Sequence, residues 1–248
     1  MRCAGPGWPA VESRLKALLH SRPMDEPLQI QIVSDLVCPW CYVGKRRLER
    51  ALAARPDLKV AVTWLPFQLS PDMPREGKDR QAHYTTIFGA ERARSIMDGM
   101  RETAAAEGLQ FETRPGARSP NTLSAHVLLY WAGEADGVDQ DALAEKLFAA
   151  HHSDSEDLGD PAVLARIAGE VGMDPAVVEA GLRAGKDEDR VQALMEEARQ
   201  VGVSGVPFFI FNGQYAVSGA QPPEALIEVL DRLSGVGAAT AATGPGRG

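Results

Sequence analysis

The chain is 248 residues long, 44% hydrophobic and 24% charged, with a net charge of −8, a profile that suits a globular protein able to bury a core without staples. The acidic balance disfavours nucleic acid or an anionic membrane as a partner, and no apolar run nears the roughly 20 residues needed to cross a bilayer. Three cysteines, Cys3, Cys38 and Cys41, are too few and too unevenly spaced for a disulfide-rich secreted scaffold.

Residues 1–27 read as a leader, expected to be disordered. Within residues 1–24, Arg2, Arg14, Lys16 and Arg22 face one acid, Glu12, and Met24 is a candidate native start. The stretch from Val11 to His20 is broken by Glu12, Ser13, Arg14 and Lys16, so it lacks the apolar core of a secretory signal, and the expected location is cytoplasmic. Leu28-Gln29-Ile30-Gln31-Ile32 alternates with period two and predicts a strand running into Cys38. Pro39 suits the first position of a helix, because its missing N–H would have no partner there. That helix continues through Leu48 and Leu52 and should stop before Pro56. Val60, Val62 and Trp64 predict a second strand, which completes a βαβ unit.

From about residue 81 to 200 the pattern turns helical. Asp160-Pro161 and Asp174-Pro175 each pair an N-cap residue with Pro at the first helical position, and a charged helix is expected from Asp187 to Gln200. Strand signals return at Phe208-Phe209-Ile210-Phe211; Asn212-Gly213 is a hairpin turn and Tyr215-Ala216-Val217 the returning strand. A helix with Leu226, Ile227 and Leu230 on one face follows, and residues 235–248 read as a disordered tail. The order is βαβ, a helical insertion, then ββα: mixed α/β with residues 28–80 and 201–234 as two halves and residues 81–200 between them.

The chemistry concentrates at Cys38-Pro39-Trp40-Cys41. Disulfide exchange needs a nucleophilic thiolate and a second thiol near enough to resolve the mixed disulfide. A spacing of three residues at a helix start puts both side chains on one face. At the N-terminus Cys38 would meet unpaired N–H groups that favour thiolate. Cys41, one turn inside, lacks that help and should be more buried. Cys38 is therefore the expected attacking thiol and Cys41 the resolving one.

Trp40 offers apolar contact for a polypeptide. Val206-Pro207 precedes the apolar strand; an X-Pro bond is cis at modest cost, which frees backbone groups for an incoming strand, and an ordinary trans turn is the alternative. A Cys pair also forms half of a zinc site, but no second ligand pair stands out, since His151 and His152 are adjacent and Cys3 lies in the leader. A structural disulfide fits poorly with a reducing compartment. His126, amid Leu123, Val127 and Tyr130, reads as a satisfied core histidine; His20, His83, His151 and His152 read as solvated or capping residues, and Cys3 as incidental.

Residues 34–49, Ser-Asp-Leu-Val-Cys-Pro-Trp-Cys-Tyr-Val-Gly-Lys-Arg-Arg-Leu-Glu, resemble the opening of the FrnE-like branch of the DsbA family. So do Asn121-Thr122-Leu123-Ser124-Ala125-His126, the run from Gly202 to Phe211, and Tyr215-Ala216-Val217-Ser218-Gly219-Ala220-Gln221. The resemblance implies a thioredoxin fold with a large helical insertion between its βαβ and ββα halves. It implies dithiol–disulfide exchange on protein or peptide thiols, with Cys38 and Cys41 catalytic and Pro39, Trp40, Val206 and Pro207 at the substrate. Pro207 would be cis and face the cysteines. No cofactor is implied beyond the Cys38–Cys41 disulfide, with glutathione or thioredoxin as the recycling partner and a small-molecule disulfide as an open alternative substrate. No metal, nucleic acid or membrane is implied, and the oligomeric state is left open.

The chain also departs from the family. Thioredoxin and periplasmic DsbA carry a buried acid six residues before the first cysteine, where this chain has Ile32, and periplasmic DsbA has His where this chain has Trp40. Asp35 is the nearest acid before Cys38. The rival readings are a glutathione-dependent enzyme of the kappa-class transferase or 2-hydroxychromene-2-carboxylate isomerase type, and a non-catalytic redox sensor or holdase. The former enzymes share the fold but typically use Ser near the strand end and lack the Cys pair.

Overall fold

Strand β1 (Leu28–Ser34) buries Leu28, Ile30 and Ile32 and leaves Gln29 exposed, as its alternation requires. Towards Cys38 the alternation stops, and Val33, Ser34 and Asp35 are buried too, because here the strand is covered on both faces. The computed structural model describes residues 26–234. The leader, apart from its last two residues, lies outside them, with Cys3, His20 and Met24, as does the tail at 235–248.

The sheet order is β2-β1-β5-β6. β1 pairs in parallel with β2 (Val60–Pro66), from Leu28 opposite Val60 to Ser34 opposite Pro66. Parallel neighbours need a crossover, which helix α1 (Pro39–Ala53) supplies. On its other side β1 pairs antiparallel with β5 (Phe208–Phe211), Val33 opposite Phe208. β5 turns through Asn212 and Gly213, at φ 49° and 65°, into the mostly exposed edge strand β6 (Tyr215–Ser218). Two successive positive φ angles are what a two-residue hairpin demands, and Asn-Gly tolerates them best. The last helix closes the order, burying Pro223, Leu226 and Leu230.

Between β2 and β5 lie a short ribbon, β3 (Lys78–Asp79) paired with β4 (Arg118–Ser119), and seven helices, all counted among the described residues. They are α2 (Arg80–Phe88), α3 (Ala90–Ala106), α4 (Leu123–Glu134), α5 (Gln140–His152), α6 (Pro161–Gly169), α7 (Pro175–Arg183) and α8 (Glu188–Gln200); the final helix, α9, is Pro223–Ser234. Asp160 and Asp174 cap α6 and α7, accepting from Ala162 and Ala176 amides at 2.9 Å. Asp187 sits before α8 in a left-handed conformation and accepts instead from the Trp131 indole at 2.7 Å.

The insertion is fastened to the sheet by polar ties. Gln140 accepts from the Trp64 amide at 2.9 Å, and Asp141 accepts from the Trp64 indole at 2.8 Å. Lys45 on α1 is 3% exposed and meets Glu49, Asp141 and Glu145. Arg46 pairs with Glu145, and Arg47 and Arg50 share Glu107. Tyr42 stacks between Phe111 and Phe148, with ring centroids 5.9 and 5.2 Å away. Among the described residues no helix is long and apolar enough to cross a membrane. The molecule has the βαβ–insertion–ββα order of a thioredoxin fold carrying a helical insertion.

Candidate functional site

β1 delivers the chain into a turn in which the Cys38 amide donates to the Asp35 carbonyl at 3.0 Å. Cys38 takes the N-cap position of α1 in an extended conformation, with Pro39 first in the helix. Its side chain caps no amide there; the thiol points across to β5 and donates to the Val206 carbonyl over 3.8 Å. The Val206–Pro207 bond is cis. The Cys41 amide closes the first turn onto the Cys38 carbonyl at 3.0 Å.

Both cysteines are free thiols, so the pair is described in its reduced form. Cys38 is 5% exposed and Cys41 0%. Burial pushes the Cys41 thiol well above its ordinary value, and Cys38 pushes it the same way by hydrogen bond and charge. The Asp35 backbone amide favours the Cys41 thiolate, whereas the Asp35 carboxylate opposes it. Trp40 projects outward at 43% exposure, while Pro39 and Val206 are half-buried and Pro207 is buried. These six residues meet at one place, where α1 begins and β5 begins.

Other groups belong to the same place and carry no local motif. Gly44 lets α1 approach the proline: a Cβ there would lie 3.0 Å from Pro207 Cγ and 3.2 Å from Phe209 Cζ. The Asp35 carboxylate is buried, with Oδ2 accepting from the Leu69 amide at 2.8 Å and Oδ1 3.4 Å from His126 Nε2 on α4. Leu69 itself is exposed, so a second apolar side chain is presented beside the cysteine loop. The phenol of Tyr84 on α2 is pushed up by burial; the Arg80 charge opposes this, and the charges of Cys38 and Asp35 reinforce it.

His151 and His152 correct the sequence reading. They are buried at the end of α5, not solvated. His152 Nε2 lies 3.1 Å from the Leu36 carbonyl, so the ring donates to the loop that carries Cys38. Among the described residues no three His, Cys, Asp or Glu side chains are grouped to hold a metal ion.

A family model described as "DSBA-like thioredoxin domain" matches residues 29–231. The chain belongs to this family. Among solved structures, a probable DsbA oxidoreductase from Streptomyces coelicolor is 33% identical, with a TM-score of 0.75 over 89% of this chain and 93% of the other. An uncharacterized protein of Bacillus subtilis strain 168, YwbO, is 26% identical across 78% of this chain and 90% of its own length. A 2-hydroxychromene-2-carboxylate isomerase also shares the fold, with a TM-score of 0.65 over 86% of this chain and 98% of that one, at 15% identity. The DSBA-like family works on thiols and disulfides, and this member presents its two cysteines at a helix start beside a cis proline.

Proposed function

We propose that this protein catalyses dithiol–disulfide exchange on polypeptide substrates, with Cys38 attacking and Cys41 resolving. The observation that carries the reading is the asymmetry of the pair. Cys38 sits at the helix start against the Val206 carbonyl, and Cys41 lies one turn inward, fully enclosed. A substrate disulfide is attacked by Cys38, releasing one substrate thiolate. Cys41 then attacks Cys38 in the mixed disulfide, the second substrate thiolate leaves, and a Cys38–Cys41 disulfide remains. The reverse sequence oxidises a substrate dithiol.

Exposed Trp40 and Leu69 beside the cysteine loop favour an apolar polypeptide over a small polar disulfide. Cytoplasmic location, membership of the FrnE-like branch, and recycling by glutathione or thioredoxin belong to the same proposal. The test is a titration in glutathione redox buffers with mass-tagging of thiols. Reversible two-electron cycling confined to Cys38 and Cys41 is expected, and Cys41→Ser should accumulate mixed disulfides with a disulfide-containing substrate protein. Turnover by Cys41→Ser equal to wild type would refute the assigned roles. Glutathione binding that survives Cys38→Ser, with no reversible disulfide, would favour a glutathione-dependent isomerase or transferase instead.

A further inference from the structure

Among the described residues one lysine and one arginine are buried, and their surroundings are opposite. Lys45, 3% exposed, faces three carboxylates. Arg80, the first residue of α2, is 6% exposed and has no carboxylate at ion-pair distance among the described residues. A guanidinium does not give up its proton, and a buried charge without an opposite charge beside it is unfavourable. Composition is not the reason, since the chain has 34 acidic side chains against 26 basic ones.

The guanidinium is held by neutral groups. Nε donates to the Arg118 carbonyl at 3.1 Å, and Nη2 donates to the His151 carbonyl at 3.3 Å. Nη2 also lies 3.0 Å from His151 Nδ1, which next to a guanidinium is the acceptor, so His151 is neutral and supplies no counter-charge. Asp157, the carboxylate whose charge reaches Arg80, is engaged elsewhere, by the Gly159 amide at 2.9 Å and by Arg118 at 3.4 Å. Nη1 has no partner among the described residues, and it is not among the polar atoms sealed from solvent. One corner of a fixed, planar cation is therefore left for an anion.

This corner belongs to the surroundings of the cysteines. The His151 and His152 ring centroids are 4.8 Å apart, and His152 donates to the Leu36 carbonyl at 3.1 Å. Three contacts in sequence thus join Arg80 to the loop before Cys38, a path on the scale of an extended tripeptide, about 10 Å. Tyr84, one turn further along α2, feels the charges of Arg80, Cys38 and Asp35. At 6% exposure Arg80 admits the end of a small molecule rather than a side chain carried on a protein surface.

We infer that Arg80 binds the carboxylate of a small thiol, such as glutathione, that reduces the Cys38–Cys41 disulfide; the inference rests on the exchange activity proposed above and assigns a binding residue to its recycling partner. The thiol loses its proton and its sulfur bonds to Cys38. The Cys38–Cys41 bond breaks, and Cys41 leaves with the electron pair and takes up a proton. A second thiolate attacks the small molecule's sulfur, and Cys38 leaves as thiolate. Two small thiols are oxidised to one disulfide and the cysteine pair is reduced. Arg80 takes no part in these bonds; it holds the reductant, and a carboxylate suits it because both are planar and charged.

The test follows reduction of the oxidised full chain by N-acetylcysteine and by N-acetylcysteinamide, which differ in the carboxylate, with rates compared per thiolate. The acid should react faster than the amide by roughly 10-fold in the wild type. Arg80→Gln should lose that ratio and Arg80→Lys should retain part of it. S-methylglutathione, which has the carboxylates but no thiol, should slow reduction of the wild type by glutathione competitively. Equal rates for the acid and the amide in the wild type, or a ratio that survives Arg80→Gln, would overturn the inference. So would the absence of competition by millimolar S-methylglutathione, a result that needs no variant to fold. A Cys38–Cys41 disulfide that neither thiol reduces would instead refute the exchange reading itself.

Discussion

His152 makes the stability of this fold depend on pH in a way that isolates one ring. Burial, then the charge of Arg80, hold its pKa down at about 3 against an ordinary 6.5. Between those values the unfolded chain binds a proton that the folded chain refuses, so stability is complete above about 6.5 and falls as the pH drops. The slope for one such group is about 1.4 kcal/mol per pH unit, so at pH 5 His152 alone should remove about 2 kcal/mol. His151 is held down by the same burial, by Arg80 and by His152, and acts in the same direction. His152→Phe keeps an aromatic ring against Phe111, whose centroid is 4.9 Å away, but leaves the Leu36 carbonyl without its donor. That loss costs about 1 kcal/mol at any pH. The two stability curves should therefore cross: the variant is weaker at pH 7 and stronger by about 1 kcal/mol at pH 5. Urea unfolding of the oxidised proteins at both pH values measures this, and parallel curves for wild type and His152→Phe would refute the assignment of a neutral buried ring.

Two further perturbations probe how α1 is held. Gly44→Ala should cost about 1–3 kcal/mol in urea unfolding and slow exchange with a disulfide substrate, because its methyl meets Pro207 Cγ at 3.0 Å. Lys45→Met removes a cation that is 3% exposed and faces Glu49, Asp141 and Glu145; the three carboxylates regain some water, so the loss should be about 2–3 kcal/mol in the same measurement, and a neutral result would show the cluster to be idle.

The parts of this fold that were legible in the sequence are those whose cause is local. Period-two alternation marks β1, Asn212-Gly213 marks the hairpin, and the Asp-Pro pairs mark the starts of α6 and α7. Pro39 marks the helix that carries the cysteines. The ribbon of β3 and β4 has two residues in each strand, too few for alternation to register. Lys45 stands in a run with Arg46 and Arg47 with no local sign of burial, yet it is buried because α5 brings two carboxylates to it from about 100 residues away. His151 and His152 follow the same logic. Adjacent histidines at a helix end look like capping residues, and only the docking of α5 against the Leu36 loop encloses them. The apolar neighbours of His126 predict a satisfied core residue; the ring is in the core, but one of its nitrogens has no partner.

The division of labour within the site explains why these were the illegible ones. The thioredoxin elements alone place the sulfurs and the proline: α1 carries Cys41, its cap is Cys38, and β5 begins beside Pro207. The side chains and amides that hold the loop before Cys38 come from the residues between β2 and β5. Leu69 fixes Asp35 by its amide, His126 faces the same carboxylate from α4, His152 holds the Leu36 carbonyl from α5, and the Tyr84 phenol on α2 feels the charges of Cys38 and Asp35. A carboxylate on β1 at position 32 would be buried by the sheet itself, among residues such as Trp64 and Phe209 that pair beside it. A carboxylate on the loop at position 35 has no such cover and depends on partners from elsewhere. The insertion provides that cover through His126 on α4, and α5 is docked on α1 through Lys45, Arg46 and Tyr42.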